Sequence, residues 1–357
     1  GASFEHGVSC LTAAGVLAAI DPERYDAVAV GIARDGSWTV ADQAAVRAYR
    51  VTAAGLPEVD PAGPPAILHR HGDQVRLGRM DGAGIVDAVP VDVALALLHG
   101  PFGEDGTIQG LFEMLGLRYV GAGVLASAAC MDKVTMNRIL EAAGLPVGPF
   151  VGLDDVDWRD QRGSCLERLR SLAFPLFVKP ARGGSSLGIT RVESEQELPA
   201  AIELAREFDR KVIVEQGFTG MREVECGVLV DRRRGGPEAS LPGEVRVLTD
   251  TQFYDFDLKY LPEAAVELFV PAPLDEATTA EVQRLAVAAC LALDVEGLAR
   301  VDTFVTQDGV FLNEVNTMPG FTPTSLFPRM WEASGVPYPQ LVCRLLDEAL
   351  ARPQGLR

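Results

Sequence analysis

Four polar residues in the C-terminal third of the 357-residue chain have types and spacing suited to chemistry. Arg300 and Asp302 stand two positions apart before the sequence TQDG of residues 306–309, and Glu314 and Asn316 stand two positions apart after it. An Asp-Gly pair after alternating apolar residues predicts a hairpin in which each polar pair shares one face of its strand. Because the pairs lie at nearly matched distances from the turn, we expect the four side chains to converge.

Two interpretations of this convergence are open. The oxygens of Asp302, Glu314 and Asn316 are hard ligands of the kind that Mg²⁺ prefers when it is held against phosphates. A cation would also relieve the repulsion between the carboxylates, and Arg300 beside it could stabilise charge on a transferred phosphoryl group or a tetrahedral oxyanion. The alternative is a ladder of surface salt bridges. Apolar residues between the polar ones favour a buried sheet.

A glycine- and serine-rich loop is the second candidate site. The sequence KPARGGSSLG of residues 179–188 follows an apolar strand. Its glycines and serines leave backbone N–H groups free to wrap a polyphosphate, while Lys179 supplies positive charge. The loop is not of the form G-x-x-x-x-G-K-[ST], because its lysine precedes the glycines and a strand follows it. The alternative is a glycine-rich hairpin turn.

Several other segments carry polar groups whose roles stay open. Glu223 and Glu225 share one face of a predicted strand, which is either a ribose-binding or a solvated face. Residues 317–326 (TMPGFTPTSL) offer donors for a carboxylate or form a plain loop, and residues 99–106 (HGPFGEDG) join a strand end to a helix start. His69 and His71 lie in a charged, Pro-rich stretch, as a surface loop or hairpin or as a metal pair.

Composition restricts the classes of function. The net charge of −18 disfavours nucleic acid as a partner, since clustered Lys and Arg carry phosphate binding. No apolar run approaches the roughly 20 residues that span a bilayer, and the N-terminus has no basic segment followed by an apolar stretch. We therefore expect a cytoplasmic enzyme without a membrane partner. The six dispersed cysteines lack a C-x-x-C pair, which predicts reduced and mostly buried thiols.

The elements that must position these residues form an α/β pattern. In the N-terminal part we predict a helix over 7–20, strands over 25–32, 91–98 and 118–120, and a helix over 107–115. The strand over 91–98 would deliver His99 to the carboxyl end of a parallel sheet. No strand precedes the first helix, so we expect this sheet to lack its first strand. Ser127 is predicted to cap a long helix that residues 144–146 end.

Length favours two or three domains, and we place lobes at 1–125, 126–210 and 211–357. The central lobe is predicted to contain strands over 174–180 and 188–192 and a helix that a capping box at Ser194 and Glu197 opens. In the last lobe we predict strands over 212–215, 223–230, 298–306 and 310–315 and helices over 275–293 and 338–351.

Together these segments resemble the D-alanine:D-alanine ligase family of the ATP-grasp superfamily. Six stretches stand in the order of that family, namely HGPFGEDGTIQG, MDK, VKPARGGSSLG, YDFDLKY, ARVD and NEVNTMPGFTPTS. The resemblance spans nearly the whole chain, and several motifs in order are far more specific than a lone glycine loop. It implies a three-lobed ATP-grasp fold with an N-terminal α/β (pre-ATP-grasp) domain.

The resemblance also implies an activity. In this family the γ-phosphoryl group of ATP passes to the carboxylate of a first D-alanine, and the amine of a second D-alanine attacks the acyl phosphate. The product is D-alanyl-D-alanine for peptidoglycan. The implied cofactors are ATP and Mg²⁺ or Mn²⁺, with two ions expected, and the implied assembly is a homodimer.

Residue roles follow from the resemblance by motif position. The implied nucleotide contacts are Lys133 and Lys179 at the phosphates, Glu215 on the adenine side, Glu223 at the ribose and Lys259 at the γ-phosphate. The implied metal ligands are Asp302, Glu314 and Asn316. The implied catalytic residues are Glu5, Ser185, Tyr254, Arg300 and Gly320. The implied amino-acid contacts are Glu5, His99, Glu104, Arg300, Ser325 and Leu326.

Specificity and departures from the family complete these expectations. Tyr254 belongs to a loop that would close over the site, and it favours the dipeptide, because relatives that make D-alanyl-D-lactate tend to replace it.

The sequence departs from the usual family pattern at two places. Gln216-Gly217 replaces the more usual basic and apolar pair at the adenine, and Met221 resembles an insertion. The rival products contain D-lactate or D-serine, and another ATP-grasp reaction is a further alternative. A nucleotide-binding regulatory protein need not keep Glu5, Tyr254 and Arg300 together.

Overall fold

A computed structural model of the chain describes residues 1–353 except 54, 83, 185–186, 232–234 and 248–265. It confirms the mixed α/β class, since helices pack on several separate sheets. None of the helices in this described part has both the length and the apolar character needed to cross a bilayer.

The N-terminal part combines small sheets with helices. Its elements are α1 (His6–Ala19), β1 (Ala29–Ile32), β2 (Trp38–Ala41), α2 (Gln43–Arg47), β3 (Ala66–His71), β4 (Gln74–Asp81), β5 (Gly84–Pro90), β6 (Val93–Ala94), α3 (Thr107–Leu115) and β7 (Arg118–Tyr119). The pair β1–β2 and the sheet β3–β4–β5 are antiparallel, whereas β6 pairs with β7 in parallel.

Two predicted strands of this part are shorter than expected. The strand predicted over 25–32 begins only at Ala29, and the one predicted over 91–98 is reduced to Val93–Ala94. The partner of the latter, β7, offers only two residues, so the parallel ladder cannot extend toward His99. The predicted hairpin around His69 and His71 is confirmed as β3 and β4.

The prediction of one long helix capped by Ser127 is wrong. The chain forms α4 (Val124–Met131) and α5 (Lys133–Ala142), and Ser127 lies inside α4, where its Oγ donates to the carbonyl of Ala122 at 3.4 Å. The break lies at Asp132, whose φ of −92° and ψ of 97° are not helical. Its side chain accepts from the N–H of Thr135 at 2.9 Å and so begins a second helix. Lys133 becomes the first residue of that helix.

The central part is an antiparallel sheet covered by helices. Its elements are β8 (Phe150–Asp154), α6 (Asp155–Asp160), α7 (Arg162–Leu169), β9 (Leu176–Pro180), β10 (Thr190–Val192), α8 (Leu198–Phe208) and β11 (Lys211–Gln216). The strand order is β10-β9-β11-β8. Leu176, Val178 and Val212 are buried against α8 and its neighbours, so the alternating positions of these strands form the core.

The capping box predicted at Ser194 and Glu197 lies one turn too early. Helix α8 begins at Leu198, and Glu197 occupies its N-cap position without a side-chain cap. The Ser194 hydroxyl donates to Glu197 Oε1 at 2.7 Å, and the N–H of Glu193 donates to Oε2 at 3.1 Å. The two residues thus close the turn before the helix instead of opening the helix itself.

The C-terminal part contains the largest sheet. Its elements are β12 (Arg222–Asp231), β13 (Gly236–Ala239), β14 (Gly243–Val247), β15 (Val266–Phe269), α9 (Glu276–Ala292), β16 (Gly297–Thr306), β17 (Gly309–Asn316), α10 (Leu326–Ala333) and α11 (Tyr338–Ala351). The order is β15-β14-β12-β16-β17, with β13 paired to β12. The predicted strands and helices here are confirmed within about one residue at each end, whereas β13, β14, β15 and α10 were not predicted.

The two faces of this sheet differ in chemistry. On one face Val224, Cys226 and Val301 are fully buried in a core that α9 shares. Side chains alternate along a strand, so Glu225 and Arg300 point to the other face. That face carries the apolar cluster of α1, α10 and α11, and its polar residues line a cavity beside this cluster.

The cysteines agree with the expectation from the sequence. Cys10, Cys130, Cys165, Cys226 and Cys290 are buried free thiols, and Cys343 is a half-buried one. Burial raises the pKa of the Cys10 thiol to about 11 and that of Cys226 to about 12. These thiols are therefore protonated parts of the core.

Candidate active site

The hairpin of β16 and β17 has the predicted register. Arg300 lies opposite Asn316, and Asp302 lies opposite Glu314. The guanidinium of Arg300 donates to both oxygens of Asp302 at 2.7 Å, and the amide of Asn316 donates to Asp302 Oδ2 at 3.1 Å. The side chains of Arg300 and Asp302 are only 19 % and 16 % exposed. The alternative of a surface ladder is therefore wrong.

Glu225 of β12 is a second carboxylate at the same guanidinium. It lies opposite Asp302 in the β12–β16 pair, and its Oε2 is 3.1 Å from Arg300 Nε. Its side chain is 12 % exposed, so a solvated face is the wrong interpretation for this residue. Burial opposes the charge of Arg300, but the nearby carboxylates outweigh it and hold the pKa of Arg300 well above its usual value.

Glu225 is missing from the predicted site residues, although the sequence contains a signal for it. It stands two positions after Glu223 on a strand, which places both on one face. Only the pairing of β12 with β16 shows that this face meets Arg300.

Lys133 connects the hairpin to the glycine-rich loop. Its Nζ lies 2.7 Å from Glu314 Oε1 and donates to the carbonyl of Gly183 at 2.9 Å. Burial lowers the pKa of Lys133, but the attraction of Glu314 and its neighbours outweighs burial and raises it overall. A permanently charged ammonium group thus lies between the loop and the carboxylates.

Lys179 and Glu215 meet on neighbouring strands of the central sheet. Lys179 Nζ on β9 lies 2.6 Å from Glu215 Oε2 on β11, and Asn137 of α5 donates to Glu215 Oε1 at 3.2 Å. Glu223 is half-buried on β12, opposite Phe304 of β16. Lys179 and Glu215 therefore meet on two interior strands of the central sheet, whereas Glu223 lies on an interior strand of the large sheet.

Glu5 approaches the same loop from the N-terminal end of α1. A Cβ added to Gly184 would lie 3.4 Å from Glu5 Oε2, and one added to Gly100 would lie 2.6 Å from it. The carboxylate therefore lies directly beside Gly100, and it faces the glycine-rich loop at Gly184, where an added Cβ would reach ordinary van der Waals distance.

His99 is fully engaged by protein atoms. Its Nδ1 contacts the carbonyl of Met318 at 3.1 Å, and its Nε2 contacts Thr12 Oγ1 at 3.0 Å. A carbonyl can only accept, so Nδ1 carries the proton and Thr12 donates to Nε2. The backbone N–H of His99 donates to Ser9 Oγ at 3.0 Å. Burial lowers the pKa of His99, which keeps the imidazole neutral.

Glu104 is the acidic partner of the same loop. Its Oε2 accepts from the N–H of Gly100 at 2.5 Å. Burial raises the pKa of Glu104 well above its usual value, and the nearby Glu5 carboxylate adds to the effect. Glu104 therefore keeps its proton to a higher pH than an exposed glutamate does.

The segment after β17 is not a plain loop, because it runs into helix α10. Ser325 occupies the N-cap position, but its Oγ makes no cap hydrogen bond. It accepts from the N–H of Thr322 at 3.2 Å and lies 2.8 Å from Thr322 Oγ1. Leu326 begins the helix, and Gly320 lies beside Ser325. The first-turn N–H groups of α10 thus donate no hydrogen bond to the Ser325 side chain. Donors of this kind at the start of a helix suit a bound carboxylate.

Several of these groups line one cavity of about 730 Å³. Its lining residues do not include Lys133, Lys179, Glu215, Glu223 and Asp302. Residues that line it come from all parts of the chain, and the predicted ones among them are Glu5, His99, Glu104, Arg300, Glu314, Asn316, Gly320, Ser325 and Leu326. Arg47, Tyr49 and Arg50 also line it but were not predicted, because the segment after α2 contains no recognisable motif. Ser185, Tyr254 and Lys259 lie outside the described residues.

The donor set suits a divalent cation. Among the described residues no group of three His, Cys, Asp or Glu side chains has metal-binding spacing, but the predicted set combines two carboxylates with the amide oxygen of Asn316. Glu225 and Asp302 pair with Arg300, and Glu314 pairs with Lys133. These hard oxygen donors fit Mg²⁺ or Mn²⁺.

Comparison with known protein families decides the relationship of this chain. The model of the D-Ala-D-Ala ligase N-terminus matches residues 1–122, and that of the D-Ala-D-Ala ligase C-terminus matches residues 139–347. The chain belongs to the D-alanine–D-alanine ligase family. The resemblance inferred from the sequence motifs is confirmed.

Relatives within the D-alanine–D-alanine ligase family match over the full length. The D-alanine–D-alanine ligase of Kineococcus radiotolerans is 50 % identical over 100 % of this chain and 96 % of its own length. The D-alanine–D-alanine ligase of Mycolicibacterium smegmatis is 48 % identical over 100 % of this chain and 95 % of its own length.

Solved structures agree with this membership. The D-alanine–D-alanine ligase of Coxiella burnetii has a TM-score of 0.81 and 32 % identity, covering 98 % of this chain and 91 % of that one. The D-Ala:D-Ser ligase VanG of Enterococcus faecalis has a TM-score of 0.80 and 32 % identity. The match covers 97 % of this chain and 96 % of that one. The predicted ATP-grasp fold is confirmed.

Proposed function

We propose that this ligase uses ATP to join two D-alanines into D-alanyl-D-alanine for peptidoglycan synthesis. The observation that carries the proposal is the meeting, at one cavity, of the glycine-rich loop, the hairpin with Arg300 and Glu314, and the Glu5 carboxylate. Full-length identity to ligases of this name supports it. ATP provides the energy of the amide bond.

The nucleotide side of the reaction is assigned to the lysines. Lys133 and Lys179 bind the phosphates of ATP, with Glu215 on the adenine side and Glu223 at the ribose. Outside the described residues, we assign Lys259 to the γ-phosphate, and Ser185 and Tyr254 to the closed site. Mg²⁺ or Mn²⁺, as two ions, supplies charge neutralisation at the phosphates when it is bound by Asp302, Glu314 and Asn316.

The amino-acid side begins with Glu5, which binds the ammonium group of the first D-alanine. The carboxylate of this substrate takes the γ-phosphoryl group of ATP and becomes an acyl phosphate, and ADP leaves. The uncharged amine of the second D-alanine then attacks the acyl carbon, and the oxyanion is stabilised by Arg300 and the N–H of Gly320. Phosphate leaves and the nitrogen gives up a proton as the amide forms. Ser325 and Leu326 at the start of α10 hold the carboxylate of the second substrate.

Two further assignments concern residues 99–104. Glu104 borders the second substrate. Because both ring nitrogens of His99 contact protein atoms, we assign His99 an effect on substrate through the loop at Met318 and Gly320.

Organisation beyond the active site is also proposed. We divide the chain into lobes at 1–125, 126–210 and 211–357, and the pairing of β11 with β8 and β9 supports moving the second boundary to follow Gln216. We further propose a homodimer, which light scattering would test, and a cytoplasmic location, where ATP and peptidoglycan precursors occur together.

A substrate panel with product masses tests the proposed reaction. The purified enzyme should release phosphate from ATP only when D-alanine and Mg²⁺ are both present, and the product should have the mass of D-alanyl-D-alanine. Equal release with L-alanine, or none with D-alanine, would contradict the proposal. Because VanG is named a D-Ala:D-Ser ligase, D-serine belongs in the panel together with D-lactate. A mixed product formed in preference to the homodipeptide would establish that second candidate.

A further inference from the structure

The Glu5 carboxylate lies near two glycines, Gly100 and Gly184. A Cβ at Gly100 would lie 2.6 Å from Glu5 Oε2, which is closer than nonbonded atoms can approach, and one at Gly184 would lie 3.4 Å from it. Gly100 has a φ of +77°, in the left-handed region that favours glycine. A methyl group at residue 100 would therefore have to displace the Glu5 carboxylate, and it would also strain the backbone.

The peptide group that joins His99 to Gly100 is anchored at both its N–H and its carbonyl. Its N–H donates to Glu104 Oε2 at 2.5 Å, and the carbonyl of the preceding His99 accepts from Ser3 Oγ at 2.7 Å. The imidazole of His99 is itself held by Thr12 and Met318. Gly100 is thus a fixed element between two carboxylates, one of which lies against its Cα while the other accepts its N–H.

We infer that Gly100 is a positioning residue, whose missing side chain sets where the Glu5 carboxylate stands. The inference rests on the proposed role of Glu5 in binding the ammonium group of the first D-alanine. Glu5 ends in a flexible side chain, whereas residue 100 has an anchored backbone, so a methyl group at residue 100 displaces the carboxylate and leaves the fold in place.

The test compares Gly100→Ala with Gly144→Ala. Gly144 has a φ of +73° and no atom within 4 Å of an added Cβ, so both variants carry the same kind of backbone strain, but only Gly100→Ala contacts Glu5. We expect similar decreases in Tm for the two variants. Gly144→Ala should keep the KM for D-alanine of the wild type. Gly100→Ala should lose about 10²-fold in kcat/KM for D-alanine, with the KM for ATP unchanged.

A double-mutant cycle separates positioning from general damage. Glu5→Asp withdraws the carboxylate by one methylene group, so Gly100→Ala in that background should cost no further activity. A crystal structure of Gly100→Ala should show the Glu5 carboxylate displaced. Additive losses, an unmoved carboxylate, or loss of folding in Gly100→Ala but not in Gly144→Ala would overturn the inference.

The outcomes also separate this inference from the proposed function. A wild-type enzyme that makes no D-alanyl-D-alanine contradicts the proposed function. An active wild type in which Gly100→Ala behaves like Gly144→Ala contradicts the positioning role alone.

Discussion

At the scale of single residues, the site is organised around one buried guanidinium. Arg300 forms a bidentate pair with Asp302, and Glu225 Oε2 lies 3.1 Å from the same Nε that donates to Asp302. Burying a charge costs free energy unless it is paired and hydrogen-bonded. A guanidinium can satisfy two carboxylates because its five donors form a fixed planar fork. The arrangement thus holds a rigid positive charge ready for an oxyanion.

Asp302→Asn is the sharpest test of the hairpin. It keeps the shape of the side chain but removes the negative charge that the cation and Arg300 share. We expect kcat/KM for D-alanine to fall by about 10²-fold or more. The Mg²⁺ concentration for half-maximal activity should rise by about tenfold or more.

The matched control for this test is Asp308→Asn. Asp308 is exposed in the turn of the same hairpin, and its variant should keep the activity and Mg²⁺ dependence of the wild type. A Mg²⁺ titration of Asp302→Asn that superimposes on that of the control would remove Asp302 from the set of metal ligands.

At the scale of elements, the break between α4 and α5 positions Lys133. Asp132 accepts from the N–H of Thr135 at 2.9 Å and from Lys211 Nζ at 2.8 and 2.9 Å. Burial raises the pKa of Asp132, but Lys211 and Thr135 outweigh burial and hold it below its usual value. The same side chain therefore caps α5 and ties it to β11. Lys133 follows directly and reaches Glu314 across the gap to the large sheet.

Asp132→Ala should destabilise the protein and weaken ATP binding. Loss of the cap alone costs about 1 kcal/mol, and the half-buried ammonium of Lys211 loses its carboxylate as well. The KM for ATP should rise, because the first turn of α5 no longer fixes Lys133. Urea unfolding and ATP kinetics measure the two effects.

Asp275→Ala is the control for the cap alone. Asp275 caps α9 through the N–H of Thr278 at 2.8 Å, and α9 does not line the cavity. This variant should lose about 1 kcal/mol of stability and keep its KM for ATP. Equal behaviour of the two variants would show that Asp132 acts only as a cap.

At the scale of the whole molecule, His99 joins parts of the chain that are distant in sequence. It contacts Ser9 and Thr12 of α1 on one side and the carbonyl of Met318, two residues before Gly320, on the other. The neutral imidazole thus couples the N-terminal helix to the loop proposed to hold the oxyanion. Protonation would place an unbalanced charge in this buried site.

The pH dependence of the free energy of unfolding should reveal that His99 is neutral in the folded protein. Its pKa in the folded state is below 6.5, so as the pH falls below 6.5 the unfolded chain binds a proton that the folded chain does not. The wild type then loses stability by about 1.4 kcal/mol per pH unit from this residue, down to the lowered folded pKa. His99→Asn lacks this loss, so the stability difference between wild type and variant should shrink between pH 7.5 and 5.5.

His71→Asn controls for the removal of one imidazole. His71 is exposed at the end of β3, and denaturant unfolding of this variant should follow the wild type at each pH. A stability difference between wild type and His99→Asn that stays constant with pH would contradict a neutral buried His99.

Much of the site could be predicted from the sequence, because its chemistry depends on local spacing. The alternation of Arg300 with Asp302 and of Glu314 with Asn316 around an Asp-Gly turn determines which side chains share a face, and the structure confirms the register. Strands β12, β16 and β17 of the large sheet and the helices α9 and α11 follow from hydrophobic periodicity, which is also a local property. The order of the sequence motifs along the chain further indicated the family.

Contacts between distant segments were decided only by the tertiary structure. The pairing of β12 with β16 brings Glu225 to Arg300, and the packing of α1 brings Glu5 against Gly100. The sequence led to one long helix where Asp132 makes two, because the capping contact competes with helix propagation and Lys211, 79 positions away, stabilises the break. Local patterns determine which groups are available, whereas the packing of distant elements decides which of them meet.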